Sequence, residues 1–182
     1  MKLKHFFKVY SIIAGIVMFV CIFMIMIGKV SIHYSGFALD SNGVLYIGKD
    51  SKIEKYKGTE VVGEISPQTS RGYAFTIQSD TIILSTASTV YTLDTNGNVL
   101  DKKVDINTET FNDLQKQKNS FEAQDGHTYK MKNIFGRVQV VSENGSVIYK
   151  MPLPDYVAKL AFILTLVSVF ITVPILIIKF KR

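Results

Sequence analysis

Two runs without a single charge bracket this chain: VYSIIAGIVMFVCIFMIMIG at 9–28 and LAFILTLVSVFITVPILII at 160–178. Each is about 20 residues long, enough at 1.5 Å per residue to cover a hydrocarbon core of about 30 Å. A cleaved leader is the competing reading of the first run. Leaders usually carry a shorter apolar stretch of about 7–15 residues that closes on a small-x-small site. This run is longer and no such site follows it, and MFVC lacks the small residues that precede a lipoprotein cysteine. The expectation is therefore two transmembrane helices, 9–28 and 158–178, with tails at 1–8 and 179–182 and a central domain at 30–156.

The flanks set the expected orientation. Lys2, Lys4 and Lys8 precede the first run, and Lys179, Lys181 and Arg182 follow the second, against only Lys29 and Lys159 on the inner flanks. Basic residues collect on the cytoplasmic side of short flanks, so both ends are expected in the cytoplasm of a cell-membrane protein, with the central domain extracytoplasmic. The formal net charge is +6, yet residues 30–157 hold 13 Lys and Arg against 15 Asp and Glu. The positive excess thus belongs to the ends, which argues against a nucleic-acid partner. The only cysteine, Cys21, lies in the first run, so no disulfide can staple the central domain. A disulfide-free extracytoplasmic domain fits a bacterial cell membrane better than a secretory pathway.

Between the runs the chain alternates and turns. GFALD and VLYIGK flank Ser41-Asn42-Gly43, KIEKYK and TEVVGEI flank Gly58, and TVYTLD leads through Asn96-Gly97 to NVLDKKV. HTYKMK follows Asp125-Gly126, and RVQVVS is joined to SVIYKMP by Asn144-Gly145. Asn-Gly and Asp-Gly supply the positive φ of tight hairpins, and period-two alternation marks half-buried strands. The segments sort into three units of four strands, 36–65, 73–104 and 120–152. Their first turns fall at Gly43, Asp80 and Gly126, and their last at Gly58, Gly97 and Gly145. This pattern, with turns such as Asn96-Gly97-Asn98 before apolar strands, resembles the blade repeats of quinoprotein-like and NHL-like β-propellers. The resemblance implies a membrane-anchored all-β protein with an antiparallel meander of about three propeller-like blades. A β-sandwich is the other sheet-rich arrangement that fits.

One segment departs from the alternation. INTETFNDLQKQKNS, 106–120, places Phe111 and Leu114 three apart behind a cap at Asn107 or Thr108, which predicts a short inserted helix over about 108–118. In the second apolar run, Ala161, Thr165, Ser168 and Thr172 form a small, weakly polar stripe, and Ser11, Ala14 and Gly15 do so in the first. Such faces let helices approach closely. Pro174 is placed to kink the second run near its end.

Chemistry-bearing patterns are sparse. His5, His33 and His127 are scattered without the spacing of a metal helix, and there is no nucleophile elbow or phosphate loop. Asp40, Asp80, Asp94 and Asp125 sit at turns, each too isolated for calcium and each suited to bonding its own backbone. Tyr46, Tyr56, Tyr73, Tyr91, Tyr129 and Tyr149 serve packing or recognition equally well. The expectation is no catalytic residue, no cofactor and no metal site, and a protein that is not an enzyme. It is instead an accessory or scaffold protein, docking its β-domain on a membrane or cell-envelope protein or a second copy, with the bilayer as its other partner. The alternatives are an extracytoplasmic ligand-binding or sensor module for a cell-envelope ligand or peptide, and a small homo-oligomeric channel.

Overall fold

The computed structural model describes residues 2–67 and 72–180. The chain divides into two compact units: His33–Met151 on one hand, and Met1–Ile32 with Pro152–Arg182 on the other. The second unit pairs two long helices, α1 (Lys2–Met26) and α3 (Leu153–Phe180). Just past α1 the N–H of Ser31 donates to Asp155 Oδ1 at 3.0 Å, and both residues are buried. The small polar stripe of the second run bonds inward to its own helix. Thr165 Oγ1 donates to the Ala161 carbonyl at 2.7 Å and Ser168 Oγ to the Thr165 carbonyl at 2.8 Å, the local back-bonding that competes with interhelical contacts. Around Gly15, by contrast, the space is open. Lys181, Arg182 and residues 68–71 of the turn-rich SPQTSRG lie outside the described residues. So do the side chains of Lys2, Lys4, His5, Lys8, Thr172, Pro174 and Lys179.

The β-unit holds three four-stranded antiparallel meanders. The first sheet is β1 (Tyr34–Leu39), β2 (Leu45–Lys49), β3 (Ile53–Lys57) and β4 (Glu60–Ile65). The second is β5 (Ala74–Gln78), β6 (Thr81–Ser85), β7 (Thr89–Leu93) and β8 (Val99–Val104). The helix α2 (Glu109–Gln117) follows. The third sheet is β9 (Ser120–Glu122), β10 (Thr128–Ile134), β11 (Arg137–Ser142) and β12 (Val147–Lys150). Register makes the first sheet the middle layer. Ala38 pairs with Tyr46 and Gly48 with Ile53, and this face joins Phe75, Ile77, Ile82, Leu84 and Leu93 of the second sheet in one apolar cluster. The opposite face carries Phe37, Ile47, Glu54 and Tyr56 and meets the third sheet through Phe121 and Tyr149.

The expected propeller resemblance and all-β fold class are corrected by this topology. The three sheets are separate and do not close on one another, and helices of 25, 9 and 28 residues make the chain mixed helix and sheet. The reason is local. Each meander completes its own hydrogen bonds, so nothing obliges the sheets to form a ring, and α2 packs on β5 and β6 through the buried Leu114.

The helix start also differs from expectation. Thr108 stands at the N-cap with a left-handed φ of 56° and makes no side-chain cap. Asp105 supplies it instead, its Oδ2 accepting from the N–H of Thr110 at 2.9 Å. The hydrogen bonds from Thr110 hold the Asp105 carboxyl below the usual carboxylate range.

Candidate functional site

The inner strands β1, β5 and β9 converge, and α2 packs against β5. A cavity of about 210 Å³ remains where these four elements meet. The apolar part of its lining, its floor, is Phe37, Phe75, Ile77, Leu114 and Phe121, of which the first four are buried, and Thr76, Gln78, Gln117 and Ser120 add polar groups to it. Phe37 and Phe121 meet edge to face with centroids 6.2 Å apart, an arrangement that aligns ring edge and face quadrupoles. Lys118, which ends α2, and Glu122, which ends β9, also line it. Among the described residues neither side chain makes an ion pair or a hydrogen bond. Lys118 is half-buried and Glu122 exposed. The backbone of β1 passes close to Lys118: a Cβ on Gly36, at φ 138°, would stand 3.3 Å from Lys118 Cβ. Only glycine combines that φ with so close an approach.

A second polar constellation lies between the first and third sheets, and it is closed. Lys49 Nζ stands 2.7 Å from Glu54 Oε2, and both residues are buried. Lys52 Nζ bridges Glu54 and Glu64 at 3.0 Å each. The Tyr56 hydroxyl donates to Glu54 Oε2, and the hydroxyls of Tyr34 and Tyr149 are 3.2 Å apart. Burial pushes the Glu54 carboxyl up, but hydrogen bonds from Lys49, Tyr56 and Lys52 outweigh it and hold the group below its ordinary value. Burial, the Glu54 bond and Tyr149 push the Tyr56 phenol far up, so it stays a neutral donor. Every oxygen of Glu54 is occupied, which makes the cluster structural.

The residues singled out by sequence fall as follows. Asp40 accepts from its own turn, the N–H groups of Asn42 at 3.0 Å and Val44 at 2.9 Å, and from the Tyr46 hydroxyl at 3.2 Å. Asp94 accepts from Asn96 and Asn98, and Asp125 from the N–H of His127 at 3.0 Å. Asp80 reaches out of its turn, accepting from Ser41 N–H at 2.9 Å and Ser41 Oγ at 2.7 Å. It thus ties the second sheet's first turn to that of the first sheet. His127 Nδ1 lies 2.8 Å from Glu143 Oε1, and the N–H of His33 is 3.5 Å from Asp50 Oδ2. Tyr73 donates to the carbonyls of Lys49 at 2.7 Å and Lys52 at 2.6 Å. Lys102 lies over the Tyr91 ring at 5.6 Å. Among the described residues no three His, Cys, Asp or Glu gather as a metal site. Sequence reasoning missed Phe37, Phe75, Phe121, Lys118, Glu122 and the Lys49–Glu54 pair. For the pair, the signal was available in the hairpin: two-residue alternation through β2 and β3 puts both on one face.

No family profile and no curated protein matches the chain. Solved structures resemble it weakly. A protein of unknown function from Bacteroides caccae has 13% identity over 66% of this chain and 46% of its own, with a TM-score of 0.34. A streptogramin B lyase has 14% identity over 67% of this chain and 42% of its own, at 0.36. An inactive virginiamycin B lyase from Staphylococcus aureus, with quinupristin, gives 14%, 67% and 42%, at 0.35. The chain thus spans less than half of each.

The expected function is corrected. The non-catalytic accessory role, its sensor and channel alternatives and the exclusion of enzyme activity are withdrawn; among the structures that the chain weakly resembles, some are described as lyases. The membrane and envelope partners and the cell-membrane placement are withdrawn too. Two helices are long and apolar enough to cross a membrane, by length and composition only, and a leader near the N-terminus passes the same test.

Proposed function

We propose that the β-unit binds a small amphipathic molecule in the cavity between β1, β5, β9 and α2, with Lys118 and Glu122 as the charged groups able to hold it. The observation that carries this reading is the pairing of an aromatic floor with two charged side chains that have no partner among the described residues. Binding pockets are typically apolar with a few placed polar groups. At about 210 Å³ the cavity is smaller than the ~300 Å³ at which drug-sized sites begin, so its occupant is a compact molecule.

Ligand-observed NMR on the full chain, with a cocktail of small arenes, aromatic acids and aromatic amines, tests the reading. Saturation transfer to aromatic fragments, lost in Phe121→Ala, is the expected result. Transfer to none of them, or transfer unchanged in Phe121→Ala, overturns it.

A further inference from the structure

We infer that the cavity takes an aromatic zwitterion, a compact molecule with an aromatic body, one carboxylate and one ammonium, of which a free aromatic α-amino acid is the simplest example. This rests on the reading of the cavity as a small-molecule site and goes beyond it by fixing the charge pattern of the occupant.

Three observations combine. The lining includes Phe37, Phe75 and Phe121, and Phe37 and Phe121 already stand in the edge-to-face geometry that a further ring can extend. Next, Lys118 and Glu122 are four residues apart, one at the end of α2 and the other at the end of β9, and both line the same cavity. They have opposite sign, and neither is in an ion pair with the other or with any described residue. Elsewhere in the β-unit the buried Lys49 and the half-buried Lys52 pair with Glu54, and Lys52 also with Glu64, while the half-buried Lys55 donates to the Thr95 carbonyl at 3.0 Å. Lys118 is a half-buried ammonium on the cavity wall that has no partner among the described residues. Third, Gly36 lets β1 pass against the Cα and Cβ of Lys118, which sets the root of that side chain beside the strand.

A ligand with a carboxylate alone would satisfy Lys118 and bring a like charge towards Glu122. A ligand with an ammonium alone would do the reverse. A zwitterion answers both, because opposite charges pair and like charges repel at the same short range. Charge-assisted hydrogen bonds are the stronger kind, so each half of the zwitterion should be separately readable.

The test uses three probes on the full chain: L-phenylalanine, 3-phenylpropionate, which lacks the ammonium, and phenethylamine, which lacks the carboxylate. The expected result is that L-phenylalanine binds about tenfold more tightly than either truncated probe, the scale of one charge-assisted bond. In Lys118→Met the advantage over phenethylamine collapses while that over phenylpropionate persists, and in Glu122→Gln the pattern inverts. Each variant carries its own control, since the retained discrimination reports a folded cavity. Equal binding of all three probes, abolished by Phe121→Ala, overturns the zwitterion and leaves the cavity reading standing. Binding of none of the three while other small arenes bind overturns it too, and binding of no arene at all overturns both.

Discussion

The two faces of the first sheet are built on different physics. Towards the second sheet, Ala38, Tyr46, Ile53 and Ile65 pack on Phe75, Ile77, Ile82 and Leu84, a layer stabilised by apolar burial and close fit. Towards the third sheet, the same strands present Lys49, Glu54, Tyr34 and Tyr56, joined to Tyr149 by ring and hydroxyl contacts. Apolar packing tolerates reshaping of similar volume, whereas a buried charge network is indifferent to volume but intolerant of losing one member. One sheet therefore carries a face that degrades gradually and a face that fails all at once.

The sharpest way to break this contrast is to remove one charge. Glu54→Leu removes the carboxylate that faces the buried Lys49 ammonium, and chemical denaturation of the full chain should show a loss of about 3–5 kcal/mol. Adding Lys49→Met should recover most of that loss, since a buried pair is often replaceable by apolar groups at little net cost. Next in size is the dry face: Ile82, fully buried, should cost about 2–5 kcal/mol as Ile82→Ala, with no partner substitution that restores it.

Gly48→Ala probes the closeness of the fit. Its Cβ would meet Phe75 Cε1 at 2.7 Å and clash with Ser35 Oγ, so a loss of about 1–3 kcal/mol from overpacking is expected in the same denaturation measurement. Acid separates the faces in another way. The Glu54 carboxyl is held below its ordinary value, so its contribution is present above the unfolded value of about 4.3 and is lost as pH falls through the lowered folded value. Acid unfolding of the Glu54→Leu, Lys49→Met double variant should therefore have a shallower acid limb than the parent. The smallest effect lies at the surface, where the bond to Glu143 raises the His127 imidazole. A raised value means stabilisation below the unfolded value and its loss as pH rises through the folded one. In Glu143→Gln, NMR titration should place His127 back towards its ordinary range, with thermal stability barely changed.

The hairpins were legible in the sequence because their determinants are local. Gly43, Gly97, Gly126 and Gly145 have positive φ, as Asn-Gly and Asp-Gly turns require, and so does Gly58 after Lys57. Nothing in Ser79-Asp80 marks it as a left-handed pair, yet φ is 46° and 60° there. The side chain of Asp80 is engaged with Ser41 in another turn, a contact 39 positions away. The cavity was hidden for the same reason. Phe37, Phe75 and Phe121 are unremarkable strand residues until three sheets are stacked, and alternation fixes which face a residue takes without saying what that face will meet. The failure of the blades to close was likewise a property of sheet packing, which local turns do not encode.

That the first sheet is the middle layer has a consequence for the order of synthesis. The chain is made from the N-terminus, at about 5–20 residues per second. The sheet that covers the dry face is complete at Val104, whereas the one that covers the other face ends at Lys150. For the roughly 2–9 seconds between those points, a nascent chain shows solvent the face bearing Lys49, Glu54 and the tyrosine hydroxyls. The side that waits longest for its cover is the one that water can solvate, and the side that would stick to other chains is sealed first.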